Sequence, residues 1–277
     1  MKTFVSNAVW HGIIAGGLFT SFALVGMAVA ADDAAPDFSL NGVAWIATSI
    51  DLIPTASGPQ PLTSDPAHPY VPNGRGLQPN YRVGDLTNPN LKSWVVEQMK
   101  KDNDEVLKGK IGYTARSSCQ PAGVPGFSSF IVEPVFFIQS PREVLMVYSG
   151  DQQLRHIYMD LPHSVNLKPS WYGESVGHYE GDTLVVDTIG LNTKTFVDNY
   201  RTPHSEKLHV VERYHLTNNG NTLEVNLRVD DPDAFNAPWE ASQRYRRVQQ
   251  GPLDEQVCAE NNNQFEYHVP FARKPDF

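Results

Sequence analysis

From about Phe127 onward the chain is cut into short runs of strand-forming residues divided by turn formers. The runs are FIVEPVFFIQ, REVLMVYSG, LRHIYMD, SVGHYEG, DTLVVDT, KLHVVERYHL, NTLEVNLRVDD, ASQRYRRVQQ and NQFEYHVP. Between them stand Ser140-Pro141, Gly150-Asp151, Glu180-Gly181-Asp182 and Asn218-Asn219-Gly220-Asn221. Val, Ile, Phe and Tyr suit a pleated, half-buried surface, and Gly and Asn supply the positive φ angles that tight hairpins need. About eight or nine strands at hairpin spacing imply a closed barrel or a sandwich. The reading is therefore mainly β: an antiparallel calycin-like (lipocalin-like) barrel, with a β-sandwich as the alternative. A barrel of that size has room for one small ligand.

The N-terminal part differs. Pro54, Pro59, Pro61, Pro66, Pro69, Pro72, Pro79 and Pro89 punctuate a short stretch. Proline lacks an N–H and fixes φ, so this density excludes long helices and central strands. Residues 31–90 read as an extended arm, in which GVAWIATSIDLIP forms at most an edge strand. One segment, LKSWVVEQMKKDNDEVLKGK, has a helical period through Leu91, Trp94, Val95, Gln98, Met99 and Val106. Asn88 or Asn90 caps it and Gly109 ends it. Residues 91–277 then make one domain, this helix plus a barrel, within the usual size range.

Residues 1–30 read as a secretory signal peptide. Lys2 precedes an apolar run from Gly12 to Ala30 that ends in Ala28-Val29-Ala30, a small-residue cleavage pattern. Export to the periplasm or beyond follows, with no membrane attachment after cleavage. Cleavage removes Lys2 and no acid, so the formal charge of −9 becomes −10. An acidic chain is a poor partner for nucleic acid or anionic lipid. The two cysteines, Cys119 and Cys258, form one disulfide in an oxidising compartment. No sequence feature fixes an oligomeric state or implies a cofactor.

The chemistry-bearing groups concentrate between Asp187 and Glu212. In LHVVERYHL, Leu208, Val210, Glu212, Tyr214 and Leu216 share a face, and His209, Val211, Arg213 and His215 share the other. Glu212 is thus the acid on the more apolar face, where burial would raise its pKa and fit it for acid–base work. In DTLVVDT both faces are apolar, so Asp187 is either a catalytic acid at a barrel mouth or a cap on the TIGLN turn. His204, Asp198 and His163 are loop candidates, and His209 a strand candidate. Tyr158, Trp171, Tyr179, Trp239 and Arg155 are candidates to line or bind a substrate. His204, His209 and Glu212 also have an H-x4-H-x2-E spacing. A regular strand points His209 and Glu212 apart, so acid–base chemistry without metal is preferred. GESVG around Ser175 matches G-x-S-x-G by letters but precedes a strand, against the strand–turn–helix of a nucleophile elbow.

SVGHYEGDTLVVDTIGLN, TPHSEKLHVVERYHL, RVDDPDAFNAPWEAS, CAENN and CQPAGVPGF together resemble a large family of exported, largely uncharacterised bacterial proteins. That family reads SxGxWEGDTLVVDTxGFN, PHSxxLHxxERxRR, DDPxxYxxPWT, CxENN and CxPxGxP. RHIYMDLPHSVNLKPSWYGES keeps Arg155, Tyr158, Asp160, His163, Pro169, Trp171 and Gly173 of a further motif but lacks its DGR turn. The resemblance implies export and says little about function. The residues favour an enzyme acting on a small, largely apolar or cyclic molecule: a lyase, isomerase or hydrolase. The alternatives are a non-catalytic small-ligand carrier and a metal-dependent enzyme.

Overall fold

The computed structural model describes residues 35–39, 42–70, 82–110, 112–129, 134–150, 153–249 and 255–258. The expected signal peptide, the last expected strand NQFEYHVP and most of CAENN lie outside them. The strands are β1 (Val43–Ala47), β2 (Ile53–Pro54), β3 (Val135–Gln139), β4 (Glu143–Tyr148), β5 (Gln153–Met159), β6 (Glu174–Glu180), β7 (Thr183–Ile189), β8 (His209–Thr217), β9 (Thr222–Asp230) and β10 (Trp239–Gln249). The helix α1 spans Ser93–Leu107.

Strands β3 to β10 pair in sequence order, and β1 pairs with both β3 and β10. The nine strands β1 and β3–β10 therefore close into a barrel, and β2 adds to β10. Closure rules out the sandwich. It also corrects the edge-strand reading of GVAWIATSIDLIP: Trp45 pairs with Val135 on one side and Arg247 on the other, so β1 completes the ring. A closed barrel satisfies both rows of backbone groups and has no edge to protect. The barrel thus draws on residues before 91.

One pairing departs from the antiparallel expectation. β5 and β6 run parallel, with Tyr158 opposite Val176. Parallel neighbours need a long return connection, and residues 160–173 supply it. This crossover runs from the hairpin end of the barrel to the other, loop-rich end. The hairpin end carries the tight turns at 140–142, 181–182 and 218–221. Gly181 there has φ +59°, and Asn218, Asn219 and Gly220 all have positive φ, which Asn tolerates better than other side chains.

The inward faces follow a period of two. β8 alternates as expected: Val210, Glu212 and Tyr214 are buried. On β7 the inward set is Leu184, Val186 and Thr188, so Asp187 faces outward. Trp45, Phe137, Val144, Met146, Tyr148, Ile157, Leu184, Val186, Tyr214 and Val225 fill the interior. A second apolar cluster caps the loop end: Val95 and Met99 of α1 join Leu191, Val197, Tyr200, Leu208, Leu227 and Trp239. Short 3₁₀ turns at Ala115–Ser118 and Gly126–Ser129 form a plug. Phe127 of the plug meets the rings of Tyr148 and Tyr172 edge-on at 6.1 and 5.8 Å.

Cys119, at the end of the first plug turn, is bonded to Cys258. The two are 139 positions apart, so the bond closes a very long loop and removes much freedom from the unfolded chain. None of the described helices is long and apolar enough to cross a membrane. Reduction is expected to lower unfolding free energy by about 4–5 kcal/mol, measured by denaturant titration with and without reductant. An unchanged midpoint would contradict this account of the plug.

Candidate functional site

The sequence candidates separate into three places. The first is inside the barrel. Arg155 of β5 and Glu212 of β8 are both fully buried and form an ion pair, Nη2 to Oε2, at 2.5 Å. Two unscreened charges in an apolar interior are costly unless their other valences are met. They are met here. Arg155 Nη2 also donates to Thr188 Oγ1 at 3.0 Å, and Nε and Nη2 donate to Ser175 Oγ at 3.2 Å. Glu212 Oε1 accepts from Ser128 Oγ and Tyr214 Oη, each at 2.8 Å. Tyr245 donates to the Ser128 carbonyl and so ties the plug to β10. Burial opposes the charge on Arg155, but Glu212, and then Tyr214, outweigh it and hold the guanidinium protonated.

Both oxygens of Glu212 are thus occupied by protein donors. Its placement on the apolar face was readable, but its partner makes it a structural ion rather than an exposed acid. Arg155, expected at a substrate, sits at no exposure. Ser175 is likewise committed to Arg155 and Thr188, not to a nucleophile elbow. Glu212→Gln leaves Arg155 buried without its counter-ion and should cost about 3–5 kcal/mol of stability. An Arg155→Met/Glu212→Leu double variant should lose less than the two single variants combined, read by chemical unfolding. Additive losses would contradict the pairing.

The second place is the outer wall. The crossover lays His163 against β7, where His163 Nε2 meets Asp187 Oδ1 at 2.9 Å. His209 Nε2, from the first residue of β8, meets the same oxygen at 3.0 Å. The other ring nitrogen of His163 lies 3.1 Å from Glu174 Oε1. Glu174 also accepts from Ser164 N at 2.7 Å and Ser164 Oγ at 2.6 Å. A continuous chain results: Glu174, His163, Asp187, His209. The crossover is held to β7 at two further points. Ser170 N donates to Gly190 O, and Asn192 N to Ser170 O. Gly190 has φ +71°, and a Cβ there would lie 2.3 Å from Leu167. Asp187 is therefore neither at an open barrel mouth nor a cap on the following turn. It is the acceptor that anchors the crossover, and it stays 38% exposed.

Charge is shared along this chain. Burial works against ionisation of Asp187, but bonds from His209 and then His163 outweigh it and hold its carboxyl below the ordinary value. The Asp187 hydrogen bond lifts His209 above its ordinary value, against partial burial. Glu174 is held low in spite of burial by Ser164 and then His163.

The third place is the loop end. His204 is buried. Its Nδ1 donates to the Ser205 carbonyl at 2.8 Å, which leaves Nε2 to accept from Thr195 Oγ1 at 2.8 Å. Burial lowers its pKa and keeps it neutral. Asp198 accepts from Tyr200 N and Thr202 N on one oxygen and Thr202 Oγ1 on the other, which shapes the loop. Its pKa is raised by burial, which those bonds only partly offset.

His204, His209 and Glu212 therefore do not converge, because side chains three apart on a strand point to opposite faces. Among the described residues no group of three or more His, Cys, Asp or Glu is placed to hold a metal ion. The aromatic candidates scatter as well. Trp239 is buried against Phe235, Tyr179 bonds Gln139, and Trp171 lies under Lys194. Tyr158 alone faces outward on the row of Asp187: β5 to β8 carry Tyr158, Val176, Asp187 and Val211 in register. Sequence reasoning missed Glu174 and Ser164, whose role depends on where the crossover lands.

The fold and site define a closed, mixed nine-stranded barrel with a carboxylate–histidine chain on its wall. The chain matches no family model, and no curated protein matches it.

The shifts of Asp187 and His209 set a pH window for the clamp that these two residues form between β7 and β8. Asp187's part is fully present above its unfolded value of 3.8 and is lost as pH falls through its lower folded value. His209's part is fully present below 6.5 and is lost as pH rises through its higher folded value. The clamp is thus strongest between about pH 4 and 6.5. Asp187→Asn should bring the His209 ring titration back down toward 6.5, followed by NMR of the imidazole protons. An unmoved titration would show that Asp187 does not hold His209.

Proposed function

We propose that the chain is an exported enzyme of calycin-like architecture that acts on a small, largely apolar or cyclic molecule by acid–base chemistry on its outer barrel wall. One observation carries this reading: a single oxygen of Asp187 receives both His163 and His209, and His209 stands half-exposed beside it. A carboxylate that orients an imidazole and raises its pKa is the arrangement a proton donor near neutral pH needs. His209 gives the proton, Asp187 stabilises the charged ring, and His163 with Glu174 fixes Asp187. After transfer, neutral His209 is placed to take a proton back. Val176, Val211 and the 42%-exposed Tyr158 offer an apolar surface around the pair.

The internal-carrier reading has less support, because Arg155, Tyr148 and Tyr214 occupy inward positions of the barrel. The signal-like N-terminus and the disulfide support export to the periplasm or beyond.

The mature protein, assayed by chromatography and mass spectrometry of the products against a panel of lactones, cyclic enones and epoxides, should turn over at least one class. His209→Ala and Asp187→Asn should each reduce that turnover about a hundredfold or more in barrels that are still folded, though somewhat less stable. The rate should fall as pH rises through the raised His209 value, since the acid form is then lost. Full activity in both variants would remove the proposed site.

A further inference from the structure

The outer wall changes character around the barrel. On β8 and β9 its outward positions include Arg213, His215, Glu224, Asn226 and Arg228. On β3, β4 and β5 they are mostly apolar. Phe136, Val147 and Leu154 stand in one row across the three strands, and Ile138, Leu145 and His156 in the next. Ile138 is 55% exposed and Leu154 39%. A contiguous apolar face on a soluble barrel marks a place where something docks. We infer that this face is the docking surface for residues 265–271 of the same chain, FEYHVPF, which lie outside the described residues.

Anchorage supplies the first reason. Cys258 is bonded to Cys119. Three residues further on, Ala122 N donates to Gln153 Oε1 at 3.3 Å, and Gln153 begins β5. Cys258 is therefore held within about 20 Å of the loop end of the apolar face. The seven steps from Cys258 to Phe265 reach up to about 24 Å, enough to bring the segment onto it.

Period supplies the second. β5 presents Leu154, His156 and Tyr158 outward at two-residue intervals. The segment repeats Phe265, Tyr267 and Val269 at the same interval, with Glu266 and His268 in the opposite phase. β4, at the centre of the face, is hydrogen-bonded on both sides, so the segment meets side chains rather than a free ladder. Size agrees. Three strands and three rows make a face of roughly 300 Å², which an extended segment about 23 Å long fills. A second copy of the chain would need about 800 Å² from each partner.

Charge supplies the third. Arg273 and Lys274 are the only cations after Cys258, and they follow the apolar segment directly. At the hairpin end of the face stand two exposed acids, Asp160 just past β5 and Asp37 beside the end of β3. A segment running from the loop end brings its two cations to these two carboxylates.

The test is ¹³C-methyl NMR of the oxidised protein labelled at isoleucine δ1, with Ile138 identified through Ile138→Val. The Ile138 methyl should be shifted upfield by an aromatic ring and show NOEs to Phe265 and Tyr267. In a Phe265→Ser/Tyr267→Ser/Val269→Ser variant the NOEs should vanish and the methyl should return to its ordinary position. Ile157, in the barrel interior, should keep its shift there, which shows the barrel still folded. Absence of those NOEs in the parent would overturn the inference, as would an upfield shift that persists in the variant. An Ile138 shift that depends on protein concentration would also overturn it, since a second copy would then occupy the face.

Discussion

The barrel is organised around one buried ion pair, Arg155 with Glu212. It joins β5 to β8 through the interior, across the two intervening strands, and recruits a side chain from each: Ser175 of β6 and Thr188 of β7. Ser128 brings in the plug, and Tyr214 and Tyr245 close the network. A half-satisfied network at this depth would cost more than an apolar core. The phase of four strands and the insertion of the plug thus depend on each other. The same constraint explains why a guanidinium sits in a barrel filled largely by Trp, Phe, Tyr, Met and aliphatic residues.

Once the phase is fixed, the outer wall follows. With Thr188 turned in toward Arg155, Asp187 must turn out, and with Glu212 turned in, His209 must turn out. The motif strings therefore serve both faces. SVGHYEGDTLVVDT gives Ser175 and Thr188 to the inside and Asp187 to the outside. LHVVER gives Glu212 to the inside and His209 to the outside. The crossover from β5 carries the same division, with Arg155 within and His163 without. Inward network groups and outward titratable groups thus alternate on one backbone.

Much of the fold could be read from residues. The hairpin turns, the apolar face of β8, the helix and the Cys119–Cys258 pair all come from local rules of period, turn chemistry and compartment. Three things could not. The parallel β5–β6 pairing leaves no mark in either strand, since both alternate as antiparallel strands do. The partner of Glu212 was hidden because Arg155 lies in LRHIYMD, where either face holds both polar and apolar residues. The meeting of His163, Asp187 and His209 was unreadable because it depends on where the crossover docks. The three were separate candidates; only the docking brings them together, along with Glu174.

The measurement that tests this account most directly is hydrogen exchange of the Arg155 guanidinium, followed by ¹⁵N NMR. A guanidinium locked between Glu212, Ser175 and Thr188 should keep sharp, slowly exchanging N–H signals from acid to mildly alkaline pH, protected like the amides of the central strands. Fast exchange like that of a surface arginine would contradict the claim that this ion pair is the fixed centre of the barrel.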